Sequence, residues 1–309
     1  MKADHFAKRS DVISIAVVGS HLLAVLSPIY LVAALGPGWH TPILLLIFGL
    51  SMNGVLNLMH ECAHILVFKR RDWPDVLGRW IVGPLVFADF DGYRERHWAH
   101  HKFIGEDGDT KDTYLIDIRR LGVVKALVRC ASMAEAIGKF FRQGAPGGAS
   151  TQSRMWFLRV ALVQLLFASS LLLTALLAGR QQALTRAAFD AAVAYAVFLY
   201  GLMSVTVFMA SLRAVAEHHQ YDTISVHQGH AALRNFACNP VSRYLMGAYG
   251  FGEHFTHHRV PGIPYYHLPA ATPDMAQQEP ALTPTKDYFD VLIEIIASPA
   301  GTASRQQTS

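Results

Sequence analysis

The sequence predicts an all-α integral membrane protein: four transmembrane helices in two hairpins, carrying a cytoplasmic, histidine-rich helical cap. Three observations predict it. Four long runs of the chain are nearly free of charge, Lys and Arg gather on one side of those runs, and histidines cluster at or just beyond their ends. Hydrophobic residues make up 52% of the chain and charged residues only 16%, against about 25% charged in an average soluble protein.

Taken in order, residues 12–35 carry no charge. The run exceeds the ~20 residues a helix needs to cross the hydrocarbon core and is too long for a signal-peptide core of about 7–15 residues, so it is read as a retained span. Gly36-Pro37-Gly38 turns the chain into a second run, 42–59, which is uncharged; the apolar stretch continues past the first histidine pair to Phe68, with Glu61 as its one charged residue. Residues 77–90 are apolar but too short to span, which predicts an interfacial or re-entrant helix. Residues 121–141 interleave Lys125, Arg129 and Lys139 with apolar side chains, the pattern of a helix lying along the membrane surface. Residues 144–151 form a small-residue turn. Spans three and four follow at 160–178, interrupted only by Gln164, and at 191–212. Residues 1–297 are expected to form one membrane domain, and 298–309 a disordered polar tail.

Orientation follows from the excess of Lys and Arg in cytoplasmic loops. Lys2, Lys8 and Arg9 precede span one, and the segment 69–154 carries Lys69-Arg70-Arg71 and Arg119-Arg120. The turn at 36–41 has no Lys or Arg, and that at 179–187 has only Arg180 and Arg186. Both termini and every histidine cluster are therefore expected in the cytoplasm of a bacterial inner-membrane protein. The net charge of +4 is accounted for by this topology and by attraction to anionic lipid, so no nucleic-acid partner is expected. Cys62, Cys130 and Cys238 are odd in number and lack CxxC spacing, so neither a disulfide framework nor an iron–sulfur motif is expected.

Nine histidines carry the chemistry: His60 and His64; His97, His100 and His101; His218; and His254, His257 and His258, with His219 a tenth beside His218. On a helix, positions i, i+3 and i+4 share a face, so each box presents its imidazoles together. A zinc site needs three or four ligands, so nine suffice for two ions. All-imidazole sets suit zinc, copper, iron or nickel. Two metals in a nitrogen-rich site at a membrane point to redox chemistry on an apolar substrate, with iron and dioxygen as the pair. Two rivals stand beside this. His60-Glu61-Cys62-Ala63-His64 satisfies HExxH, the helix signature of zinc proteases, though that site needs one further ligand and not seven. A metal carrier would tolerate loose histidine tracts without the repeated helical spacing.

HECAH, HWAHH and HFTHH resemble the three histidine boxes, HxxxH, HxxHH and HxxHH, of the membrane-bound fatty acid desaturase superfamily of histidine-box di-iron desaturases and hydroxylases. The flanks resemble it too: the acidic turn Gly105-Glu106-Asp107-Gly108-Asp109 after box two, the exit Pro261-Gly-Ile-Pro-Tyr-Tyr-His-Leu-Pro269 after box three, and Arg213-Ala-Val-Ala-Glu-His218 where the family supplies an additional ligand. The resemblance covers about residues 50–270. It implies a helical membrane fold with a cytoplasmic di-iron site that uses dioxygen and electrons to abstract hydrogen from an unactivated C–H bond. By box matching it implies His60, His64, His97, His100, His101, His254, His257 and His258 as ligands, His218 from the extra-ligand segment, and His219 as a further candidate. Glu61, Glu217, Glu253, Asp107 and Asp109 sit where a carboxylate can take the remaining N–H of a bound imidazole. The first box is shorter than the HxxxxH of many acyl-CoA desaturases, which fits acyl-lipid, acyl-carrier or other lipid substrates. The resemblance implies a double bond as product, with hydroxylation or ketolation by the same superfamily as the alternative. With no electron-transfer domain in the chain, a separate donor of ferredoxin, rubredoxin or cytochrome b5 type is expected, drawn by charge to the basic face.

Overall fold

The computed structural model describes residues 6–104, 106, 108–110, 118–143, 151–179, 183–218 and 233–297. Among the described residues the chain forms helices and no strand. The first two long helices are α1 (Asp11–Leu35) and α2 (Thr41–Ala63). Next come α3 (Asp72–Leu77), a π-helical turn (Gly78–Val82) and Gly83–Leu85. Box two lies on α4 (Phe90–Phe103), followed by the short α5 (Ile118–Leu121), α6 (Val123–Ala131) and α7 (Ala134–Gln143). Two more long helices are α8 (Thr151–Ala178) and α9 (Leu184–His218). The chain then runs through α10 (Pro240–Leu245), a 3-10 segment (Ala248–Glu253), α11 (His254–Arg259), α12 (Leu268–Ala276) and α13 (Tyr288–Ala297).

Local chemistry sets the ends of α1. Ser10 accepts from the backbone N–H of Ile13, the N-cap arrangement that satisfies an orphan donor, and Asp11 complements the positive end of the helix dipole. Gly36, at φ 71°, ends the helix in a conformation a side chain would strain. All four long helices are apolar enough to cross a membrane. Their outward side chains are hydrophobic: Leu23 is 75% exposed, Leu165 65% and Leu177 73%. Water would not tolerate such a belt, and lipid would. Inside, α1 packs against α2, α8 and α9, and α8 packs along α9. Phe48, Phe167, Leu171 and Phe198 fill the centre.

Three elements differ in detail from the sequence reading. The short apolar run becomes α3, a π turn and Gly83–Leu85, tucked against α8. Gln164, the one polar residue expected inside span three, donates to the carbonyls of Pro84 (2.9 Å) and Leu85 (3.1 Å) and accepts from Tyr195 (2.9 Å). Away from water, backbone carbonyls need such partners. The amphipathic stretch is two helices, because Met133 takes φ 56° between α6 and α7. Finally, α9 is 35 residues long, or about 52 Å at 1.5 Å per residue. That exceeds the ~30 Å hydrocarbon core, so its last turns project beyond it. A π turn at Leu202–Thr206 interrupts α9 where it meets α2. The small-residue turn at 144–150 and the tail at 298–309 lie outside the described residues.

Candidate metal centre

Four segments converge at one end of the bundle. His60 lies in the last turn of α2 and His64 caps it. His97, His100 and His101 lie on one side of α4, whose start is capped by Asp89. His218 is the last residue of α9, and His254, His257 and His258 occupy the short α11. Asn53 and Asn57 on α2 hold α11 in reach by donating to the chain just ahead of it. Asn53 meets the carbonyl of Leu245 (2.9 Å), and Asn57 those of Met246 (3.1 Å) and Ala248 (2.9 Å).

The imidazoles fall into adjoining groups. His60, His64, His97, His101 and His257 form one, and His100, His218 and His258 a second; His254 joins His218 and Glu217 in a third set that overlaps the second. Within each set the ligand atoms lie within 4.8 Å of one another. His64 Nε2 is 2.6 Å from His97 Nε2 and 3.1 Å from His257 Nε2, and His254 Nε2 is 3.0 Å from His218 Nε2. Across the groups, the rings of His101 and His258 stack at 4.1 Å. All of these are buried except His101, which is half-buried.

Burial and the neighbouring imidazoles hold His64, His97 and His258 well below the usual histidine value. They are therefore neutral, the form that binds metal. Three Nε2 atoms pointing at one another cannot all be satisfied by protons between them, and a shared cation resolves their lone pairs. Buried His60 Nε2 and both ring nitrogens of His258 have no hydrogen-bond partner, which native structures rarely permit. The donor set fits a first-row transition metal. Five imidazoles in one group exceed the four of a structural zinc site and the three of an HExxH enzyme.

The flanking carboxylates take different places. Glu61 Oε1 meets His60 Nδ1 at 3.1 Å, and Asp109 Oδ1 meets His100 Nδ1 at 2.6 Å. Each braces the ring nitrogen turned away from the cluster. Glu253 pairs instead with Arg243 on α10 (2.9 Å), tying the start of α11 to its neighbour. Glu217 is fully buried beside His218 and His254. Asp107 and His219 lie outside the described residues.

A model of the fatty acid desaturase family matches residues 37–289, and that span contains every histidine of both groups. The chain belongs to the fatty acid desaturase family. With its four apolar helices, this desaturase-family chain is an integral membrane protein, and its histidine cluster is compatible with a di-iron site. No curated protein matches the chain.

The desaturase boxes do not stand alone, and several supporting residues escape a sequence reading. Tyr288, fully buried on α13, reaches Glu217. Arg213 sits over the ring of Phe251 at 4.2 Å and bonds Asn57. Tyr93 stacks parallel on His97 at 5.7 Å. Two of them left a trace in the sequence: Tyr93 stands four residues before His97 and Arg213 four before Glu217, each one turn along the same face.

Proposed function

We propose that this chain is an oxygen-dependent di-iron desaturase that introduces a double bond into the acyl chain of a membrane lipid. The observation that carries the reading is the convergence of nine imidazoles, in adjoining groups, at one end of a lipid-exposed helical bundle. His60, His64, His97, His101 and His257 would hold one iron; His100, His218, His254 and His258 would hold the other. Iron bound there supplies one-electron redox chemistry with dioxygen at an unactivated C–H bond. The protein's own residues supply the rest. Burial keeps the imidazoles neutral, Glu61 and Asp109 orient two of them, and the packed bundle keeps water from the site. The exit from box three is tied to the chain at the start of α1: the Tyr266 hydroxyl accepts from Ser10 N–H at 2.6 Å, and His267 meets the carbonyl of Lys8 at 3.0 Å.

The same proposal places α1–α2 and α8–α9 as two membrane hairpins in a single domain over residues 1–297. Basic loops keep both termini and the metal centre in the cytoplasm, within reach of a separate one-electron donor protein. Lipid mass spectrometry on host membranes expressing the wild type beside His257→Ala tests the reaction. A wild-type product lacking two hydrogens is expected, and its double-bond position gives the regiochemistry. A product gaining one oxygen would move the assignment to a hydroxylase on the same site. If iron-loaded protein with a competent donor leaves the lipids unchanged, the reading is wrong.

A further inference from the structure

Of the three sets, only the one that holds His254 and shares His218 with the second contains a carboxylate. Glu217, His218 and His254 bring ligand atoms within 4.8 Å of one another, with Glu217 Oε2 3.9 Å from His254 Nε2. Consecutive residues of an α-helix diverge by about 100°, so helical periodicity does not turn Glu217 toward the site of His218. Specific contacts do. The Tyr288 hydroxyl lies 3.0 Å from Glu217 Oε1 and 2.8 Å from the carbonyl of Phe251. Arg213 Nε lies 3.6 Å from the same carboxylate oxygen. Arg213 is itself fixed by Asn57 and by the ring of Phe251, and Tyr288 by a parallel stack on Phe236 at 3.6 Å. Both clamps act on Oε1, and Oε2 is left on the histidine side.

The side of the ring decides the role. A carboxylate that braces a ligand histidine meets the ring nitrogen remote from the metal, as Glu61 and Asp109 do at Nδ1 of His60 and His100. Glu217 approaches His254 at Nε2, the nitrogen that faces His218 across 3.0 Å. At 3.9 Å the contact is also too long for a hydrogen bond. We propose that Glu217 is itself a metal ligand, so that the two positions are chemically unequal: one all imidazole, the other imidazole and carboxylate. Arg213 and Tyr288 are positioning residues that set the carboxylate. This rests on the di-iron reading above.

The test is anaerobic reconstitution of the full-length protein in nanodiscs with ferrous iron, counting iron per chain and recording Mössbauer spectra. The wild type, Glu217→Gln, Glu217→Asp and Tyr288→Phe are compared. The wild type should hold about two irons in distinct environments, and Glu217→Gln about one, with one spectral component lost. Glu217→Asp should restore part of it. Tyr288→Phe keeps the stacked ring, so it carries the test even if Glu217→Gln misfolds. It should weaken one iron by about 10- to 100-fold and leave the other unchanged. Two irons with unaltered affinity and spectrum in Glu217→Gln would overturn the assignment, as would an equal loss at both irons in Tyr288→Phe. A wild type that never takes up a second iron would instead overturn the di-iron reading on which the assignment stands.

Discussion

Neutral imidazoles packed against one another make this centre sensitive to protons. His64, His97 and His258 are held well below the ordinary histidine value by burial and by their neighbours. In the unfolded chain each takes a proton below about pH 6.5; in the fold it does not. Stability from these groups is therefore complete above that pH and is lost as pH falls, by about 1.4 kcal/mol per unit for each group. The apo protein in detergent should show a falling unfolding midpoint from about pH 6.5 to 5, and a flat profile there would contradict the neutral assignment. Asn57 makes a second prediction at this scale. It is fully buried, donates to two carbonyls and accepts from Arg213. Asn57→Ala strands those partners and should cost about 3 kcal/mol, read by thermal unfolding in detergent. Such pairings are illegible in the sequence, where an Asn one turn before a histidine box is equally at home lining a lipid channel.

Between elements, the decisive contact is α2 against α9. A Cβ on Gly49 would fall 2.5 Å from Val205 Cβ, and one on Gly201 would fall 2.6 Å from the ring of Phe48. Small residues at such crossings let membrane helices approach closely. Thr206 completes the crossing by donating to the carbonyls of Gly49 and Gly201, both at 3.1 Å. This crossing joins the helix that ends in His60 and His64 to the helix that ends in His218. Gly49→Ala should therefore push the helices apart, cost about 1–3 kcal/mol and lower iron loading. Gly19→Ala on α1, where a Cβ meets nothing within 4 Å, should be neutral by both measurements. If the two variants behave alike, helix spacing does not govern the site. Spans were readable because charge is expelled from long apolar runs. The π turn in α9 was not, because it depends on what the helix packs against.

For the whole molecule, metal held by the proposed centre would be a cross-link among α2, α4, α9 and α11. These segments lie far apart in sequence, and the unfolded chain has no assembled site, so binding energy becomes folding energy. At a free metal concentration about 1,000 times Kd the gain is about 4 kcal/mol per site. Chelation should lower the unfolding temperature of the wild type by several degrees and that of His257→Ala, which keeps the second group of histidines intact, by less. Equal shifts in both would show that the chelator acts elsewhere. The box histidines and membrane class were set by the sequence alone, because metal ligation demands particular side chains at helical spacing and lipid demands long uncharged runs. Both constraints are local and survive in one dimension. Which histidine joins which group, the turn of Glu253 to Arg243, and the reach of Tyr288 to Glu217 were decided only in three dimensions. They depend on distances between segments far apart in the chain, such as the 193 residues that separate His64 from His257, and packing alone determines those distances.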